Sequence, residues 1–96
     1  MQFSTLLILT LPLLAAAVPQ DNCRHGLTYC GDGLLRKGNY LSDIINSLNS
    51  ANQPTDQNHI NYSLFACKGD DDVPFKRYCG VGRCVDGASG QSDRCS

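Results

Sequence analysis

The chain has 96 residues, eight bases against nine acids, a net charge of −1 and six cysteines. That length holds one domain at most. The near-neutral balance removes any bulk electrostatic case for a nucleic-acid binder or for binding to anionic membranes. The 42% hydrophobic content is unevenly spread, because twelve of the first 17 residues are hydrophobic against 28 of the remaining 79.

Residues 6–17 are apolar except for Thr10 and Pro12, and they end in Ala15-Ala16-Ala17. A short apolar run closed by small residues reads as a secretory signal peptide over 1–17, cut after Ala17. The run is shorter than the ~20 residues that cross a bilayer. The expected mature chain is a single secreted domain over 18–96, with no stable membrane insertion.

Leu, Ile, Val and Phe together number 15 in those 79 residues. Ordering a residue costs ~1.5 kcal/mol, so such a chain needs stabilisation beyond its apolar area. Small secreted domains obtain it from disulfides. Cys23, Cys30, Cys67, Cys79, Cys84 and Cys95 all lie after the cleavage point. Their even number reads as three bridges. No Cys-x2-Cys pair occurs, and His25 and His59 have no ligand spacing, so neither a metal nor another cofactor is expected. Six cysteines allow about 15 pairings, and the sequence does not choose among them. Our expectation is Cys30 with Cys67 and Cys84 with Cys95, leaving Cys23 with Cys79.

Residues 23–30 read as a brief strand through Thr28 and Tyr29, ended by Gly31-Asp32-Gly33. Residues 39–50 carry the strongest periodic signal. Tyr40, Leu41, Ile44, Ile45 and Leu48 form one apolar stripe on a helix, with Asn39 as its N-cap and Asp43 near its positive end. Leu34 and Leu35 extend the pattern toward Asp32, with Gly38 as its weak point. Residues 49–53 and Pro54 end the helix. Residues 59–67 alternate and predict a strand. Lys68-Gly69-Asp70-Asp71-Asp72 is a solvated turn, since Ca²⁺ loops space their acids differently. Val73–Cys79 returns as a second strand, with Pro74 near its start. Residues 83–86 give a third short strand, and residues 87–93 a polar loop. The expected fold is α+β: one helix packed on a short antiparallel sheet.

Asn61-Tyr62-Ser63 is an N-glycosylation sequon, with Asn61 opposite the more apolar face of the expected strand. Lys76-Arg77 is a dibasic pair, read as unprocessed within its strand, and Arg36-Lys37 is a weaker one. His25 has general-base chemistry, and Ser63, Ser89 and Ser92 carry nucleophilic hydroxyls. No spacing joins them and no Gly-x-Ser-x-Gly occurs, so no catalytic residue is assigned and the chain is expected to be non-enzymatic. Tyr29, Tyr40, Tyr62, Phe65, Phe75 and Tyr78 are expected to be mostly core.

The segment Cys23-Arg24-His25-Gly26-Leu27-Thr28-Tyr29-Cys30-Gly31, with Leu34-Leu35 and Gly38 following, is the most distinctive part. With the leader and six cysteines, the chain resembles fungal small secreted cysteine-rich proteins, the class from which candidate effectors are drawn. That resemblance implies a monomeric virulence factor binding an extracellular host protein or a cell-wall glycan. The alternatives are an antimicrobial or killer-toxin-like protein and a module for chitin oligomers. Gly31-Asp32, Leu34 and the Leu41-Ser42-Asp43-Ile44-Ile45 run are similar to a chitin-binding LysM pattern, but the interval is about a turn short. The gaps depart from the invertebrate chitin-binding pattern, and the Cys-x3-Cys and Cys-x-Cys pairs of defensins are missing.

Overall fold

A computed structural model describes residues 22–96, so the signal peptide and cleavage point expected at 1–17 lie outside the described residues. The element order is β1 (Thr28–Cys30), α1 (Gly31–Lys37), α2 (Leu41–Ser50), α3 (Gln57–Tyr62), β2 (Ser63–Ala66), β3 (Phe75–Tyr78), β4 (Cys84–Val85) and β5 (Arg94–Cys95). The fold is α+β, with two antiparallel sheets in the orders β1-β2-β3 and β4-β5. Among the described residues, three short helices replace the single one expected.

The predicted stripe forms α2, with Tyr40, Ile44 and Leu48 buried at helical spacing. The N-cap is Tyr40, not Asn39. The Tyr40 hydroxyl reaches across the core and accepts a hydrogen bond from the Cys23 amide at 2.8 Å. This contact ties the residue that opens α2 to the start of the described chain. At the other end Asn52 takes a left-handed φ of 57°. The Gln53 amide folds back onto the Leu48 carbonyl at 2.9 Å, so Asn, which tolerates this conformation, ends the helix. The Ser47 hydroxyl donates to the Val73 carbonyl at 2.7 Å and fastens α2 to the approach to β3.

Gly31-Asp32-Gly33 ends β1 as expected but also opens α1, a separate helix that Gly38 and Asn39 part from α2. Gly31 packs directly on the Ile60 carbonyl of α3, and a Cβ there would collide with it. Leu34, Tyr40, Ile44, Leu48, Ile60, Phe65 and Val73 make the core, with Phe75 set edge-on to Phe65 at 6.1 Å.

The strand expected over 59–67 is corrected: its first half is α3. Asp56 caps that helix by accepting from the His59 amide at 3.2 Å, and its carboxylate also meets His59 Nδ1 at 2.6 Å. A side chain satisfying a first-turn donor starts a helix that apolar alternation does not reveal. Ser63, Leu64 and Phe65 are then buried in succession, so both faces of β2 are covered. In β3, Leu64 faces Arg77 and Phe65 faces Phe75, which leaves Lys76 as an extra bulged residue.

All six cysteines are bridged, but not in the expected pairs. The bonds are Cys23–Cys67, Cys30–Cys84 and Cys79–Cys95, with Cα separations of 6.1, 5.9 and 5.2 Å. The β1–β2 register explains the first correction. Cys30 sits opposite Leu64, at one end of the ladder, while the Cys67 amide bonds the Leu27 carbonyl at the other. The chain before Leu27 therefore delivers Cys23, not Cys30, to Cys67. The expected Cys84–Cys95 bridge is corrected too: the two residues face each other in the β4–β5 register without bonding each other. Their sulfurs bond outward, to Cys30 and Cys79, and so tie the tail to the main sheet.

Candidate functional site

A polar cleft of about 470 Å³ lies between β1, α1 and the loop 86–91. Its lining includes Arg24, Tyr29, Arg36, Lys37, Asp86 and Asp93. The Tyr29 hydroxyl accepts from the Arg24 amide at 2.9 Å, and the Lys37 ammonium lies 5.8 Å from the Tyr29 ring centroid. Arg36 pairs with Asp32 one helical turn earlier at 3.7 Å. The rim thus carries three cations and one aromatic ring.

Asp93 organises the floor. It is 6% exposed. Its Oδ2 accepts from the Cys30 amide at 2.8 Å, and its Oδ1 accepts from the Gly87 amide at 2.7 Å. The Asp93 amide in turn donates to the Thr28 carbonyl at 2.8 Å, and the Thr28 amide donates to Ser92 Oγ at 3.0 Å. One carboxylate therefore holds the loop, the end of β1 and the start of α1 in register. Burial raises the Asp93 pKa above its ordinary value. The two amide bonds oppose that rise, and the hydrogen bond and negative charge of Asp86 add to it. Gly87 completes the turn, because a Cβ there would strike the Ser92 carbonyl.

The other residues singled out from the sequence are dispersed. His25 is exposed and meets Asp70 at 3.2 Å, with no hydrogen bond to any of the three serines. Ser63 is buried, Ser89 lines the cleft, and Ser92 is engaged by Thr28. Asp70, Asp71 and Asp72 form the exposed turn expected of them, closed by a Gly69–Asp72 bridge. Asp43 of α2 is raised by partial burial and by the nearby charge of Asp71. Among the described residues no group of three or more His, Cys, Asp or Glu side chains is arranged to hold a metal ion. None of the described helices is long and apolar enough to cross a membrane.

Asn61 lies in the last turn of α3, where its Oδ1 accepts from Gln57 Nε2 at 3.1 Å. Lys76 and Arg77 are exposed on β3, an edge strand. Of the three bridges, Cys30–Cys84 alone spans the pair, so a cut after Arg77 would leave two pieces joined by that bond. Of the aromatics, Tyr40 and Phe65 are fully buried, and Tyr78 stacks on His59 at 3.9 Å.

Nothing in the sequence distinguishes Arg24, Asp86 and Asp93 as site residues, since isolated charges in glycine-rich segments read as turn chemistry. No local signal marks them. Their roles arise where residues 24–37 meet residues 86–93 across the fold. No protein family, no curated protein and no solved structure matches the chain.

Proposed function

We propose that this chain is a secreted, non-enzymatic binding protein, effector-like toward a host. It uses the cleft around Asp93 to engage an extracellular host protein or a cell-wall glycan. The observation that carries the reading is the cleft itself. A fixed floor, an Arg-rich rim and a tyrosine wall are the components of a polar recognition site. Arg24 and Arg36 supply planar donors suited to carboxylates and clustered hydroxyls. The backbone of residues 87–91 adds further polar groups. The apolar leader and the three bridges support an oxidising, extracellular setting.

The test compares the natural protein with an Arg24→Gln, Arg36→Gln double variant, both exposed changes that leave the core untouched. Retention is measured on insoluble host cell-wall polysaccharide, on insoluble chitin and on immobilised host extracellular proteins. Infiltration of host tissue and a virulence assay of a disruption mutant accompany it. Binding or a host response that the double variant loses is expected. An equal response from both proteins, or virulence unchanged without the gene, would overturn the reading. Inhibition of competing fungi without any host effect would replace it with the antimicrobial alternative.

A further inference from the structure

Ser63 opens β2 with 0% exposure, and its hydroxyl is a buried side-chain oxygen with no hydrogen-bond partner among the described residues. A buried, unpaired hydroxyl is less favourable than a methyl group in the same place. The nearby Cys84 sulfur lies 3.9 Å from the Ser63 backbone carbonyl oxygen, not from the hydroxyl. The folded protein therefore gains no hydrogen bond from this oxygen.

Two residues earlier stands Asn61. Its Oδ1 is occupied by Gln57, while its Nδ2 has no partner among the described residues and keeps contact with solvent. Asn61-Tyr62-Ser63 is the acceptor pattern for an N-linked glycan, and the hydroxyl at the third position is part of that pattern. We propose that Asn61 carries an N-linked glycan, that the glycan is attached before this region folds, and that the Ser63 hydroxyl serves that attachment.

In the transfer, Asn61 Nδ2 bonds to C1 of the first sugar of a polyprenyl-pyrophosphate-linked oligosaccharide. The bond from C1 to the phosphate oxygen breaks, the lipid pyrophosphate leaves with the electron pair, and the amide releases one proton. The order of events follows from burial. In the folded protein the hydroxyl is enclosed, and the Cys30–Cys84 bridge packs against the backbone carbonyl of the same residue. Cys84 lies 21 residues after Ser63. A chain entering the secretory compartment from its N-terminus presents the acceptor before Cys84, and so before the Cys30–Cys84 bridge can form. The solvent-facing Nδ2 then leaves the attached glycan outside the core.

The inference rests on the secretory reading above, so the test supplies an unrelated secretion leader to residues 18–96 in eukaryotic cells. A failure of the natural leader then cannot be mistaken for a failure of the acceptor. Intact mass is measured before and after peptide-N-glycosidase digestion. Wild-type protein should carry one glycan, and digestion should leave the mass of an aspartate at position 61. Asn61→Gln and Ser63→Ala should be unmodified, whereas Ser63→Thr should be modified even if its added methyl lowers the melting temperature. Bacterially made, bridged protein and its reduced, alkylated form are also offered to microsomal membranes with the lipid-linked donor. The reduced form should be glycosylated and the bridged form should not. An unmodified wild-type chain would overturn the proposal, as would equal modification of the two forms. Ser63→Ala melting below unglycosylated wild type would also refute it, because the hydroxyl would then serve the fold.

Discussion

Replacing both cysteines of one bridge by alanine releases a loop whose length the sequence separation gives directly. The separations are 54 residues for Cys30–Cys84, 44 for Cys23–Cys67 and 16 for Cys79–Cys95. The chain-entropy relation makes these losses ~4.2, ~4.0 and ~3.1 kcal/mol at 25 °C. Burial widens the gap. Cys23, Cys30 and Cys67 are each no more than 3% exposed, while Cys79 and Cys95 are only partly buried. Voids at the buried positions add roughly 1 kcal/mol to the first two losses. At ~6 °C per kcal/mol for a domain of this size, the melting temperature should fall about 19 °C without Cys79–Cys95 and about 30 °C without either of the others. The chain has no tryptophan, so urea and thermal unfolding followed by circular dichroism is the suitable assay. Losing the 16-residue bridge at the same cost as the 54-residue one would refute both the loop argument and the burial ranking.

Gly31→Ala should cost roughly 2–3 kcal/mol by forcing α1 off the Ile60 carbonyl, read as a lower urea midpoint; an unchanged midpoint would mean the helices separate freely. Asp93 holds its proton more tightly when folded. Its ionisation therefore carries no penalty well below the ordinary value of 3.8, and the penalty grows as pH rises through the raised value. Asp86→Asn should accordingly raise the melting temperature near neutral pH and leave it unchanged in strong acid, a difference that melts across pH would show. Asp56 behaves oppositely: burial opposes its ionisation, but the His59 hydrogen bonds outweigh it and lower the pKa. Its contribution is present above 3.8 and lost as pH falls through the lowered value. Asp56→Ala should speed amide exchange in α3 at neutral pH, and should do so much less in acid.

Sequence reasoning reached the features set by neighbours along the chain. The stripe from Tyr40 to Leu48 fixes α2, because residues four apart share a helix face whatever they pack against. Val73–Cys79 and residues 83–86 contain the strands β3 and β4, and the acidic turn between Lys68 and Asp72 was legible from composition. The segment from His59 to Tyr62 was not. Ile60 and Tyr62 alternate as a strand would, yet the Asp56 carboxylate accepts from the His59 amide and starts a helix there. Burial of both faces of β2 removed the alternation that would have marked its true start.

The sequence by itself determined that this protein depends on covalent cross-links, since six cysteines accompany too few apolar residues for a self-sufficient core. It also determined one helix and most strand positions, because those rest on local periodicity and turn chemistry. Only the tertiary structure decided which cysteines meet. Pairing depends on strand register, and register placed Cys23 rather than Cys30 beside Cys67. The cleft belongs to the same category. Asp93 lies 63 residues from the Cys30 amide that it accepts from, a contact that no local pattern specifies and that the folded chain alone creates.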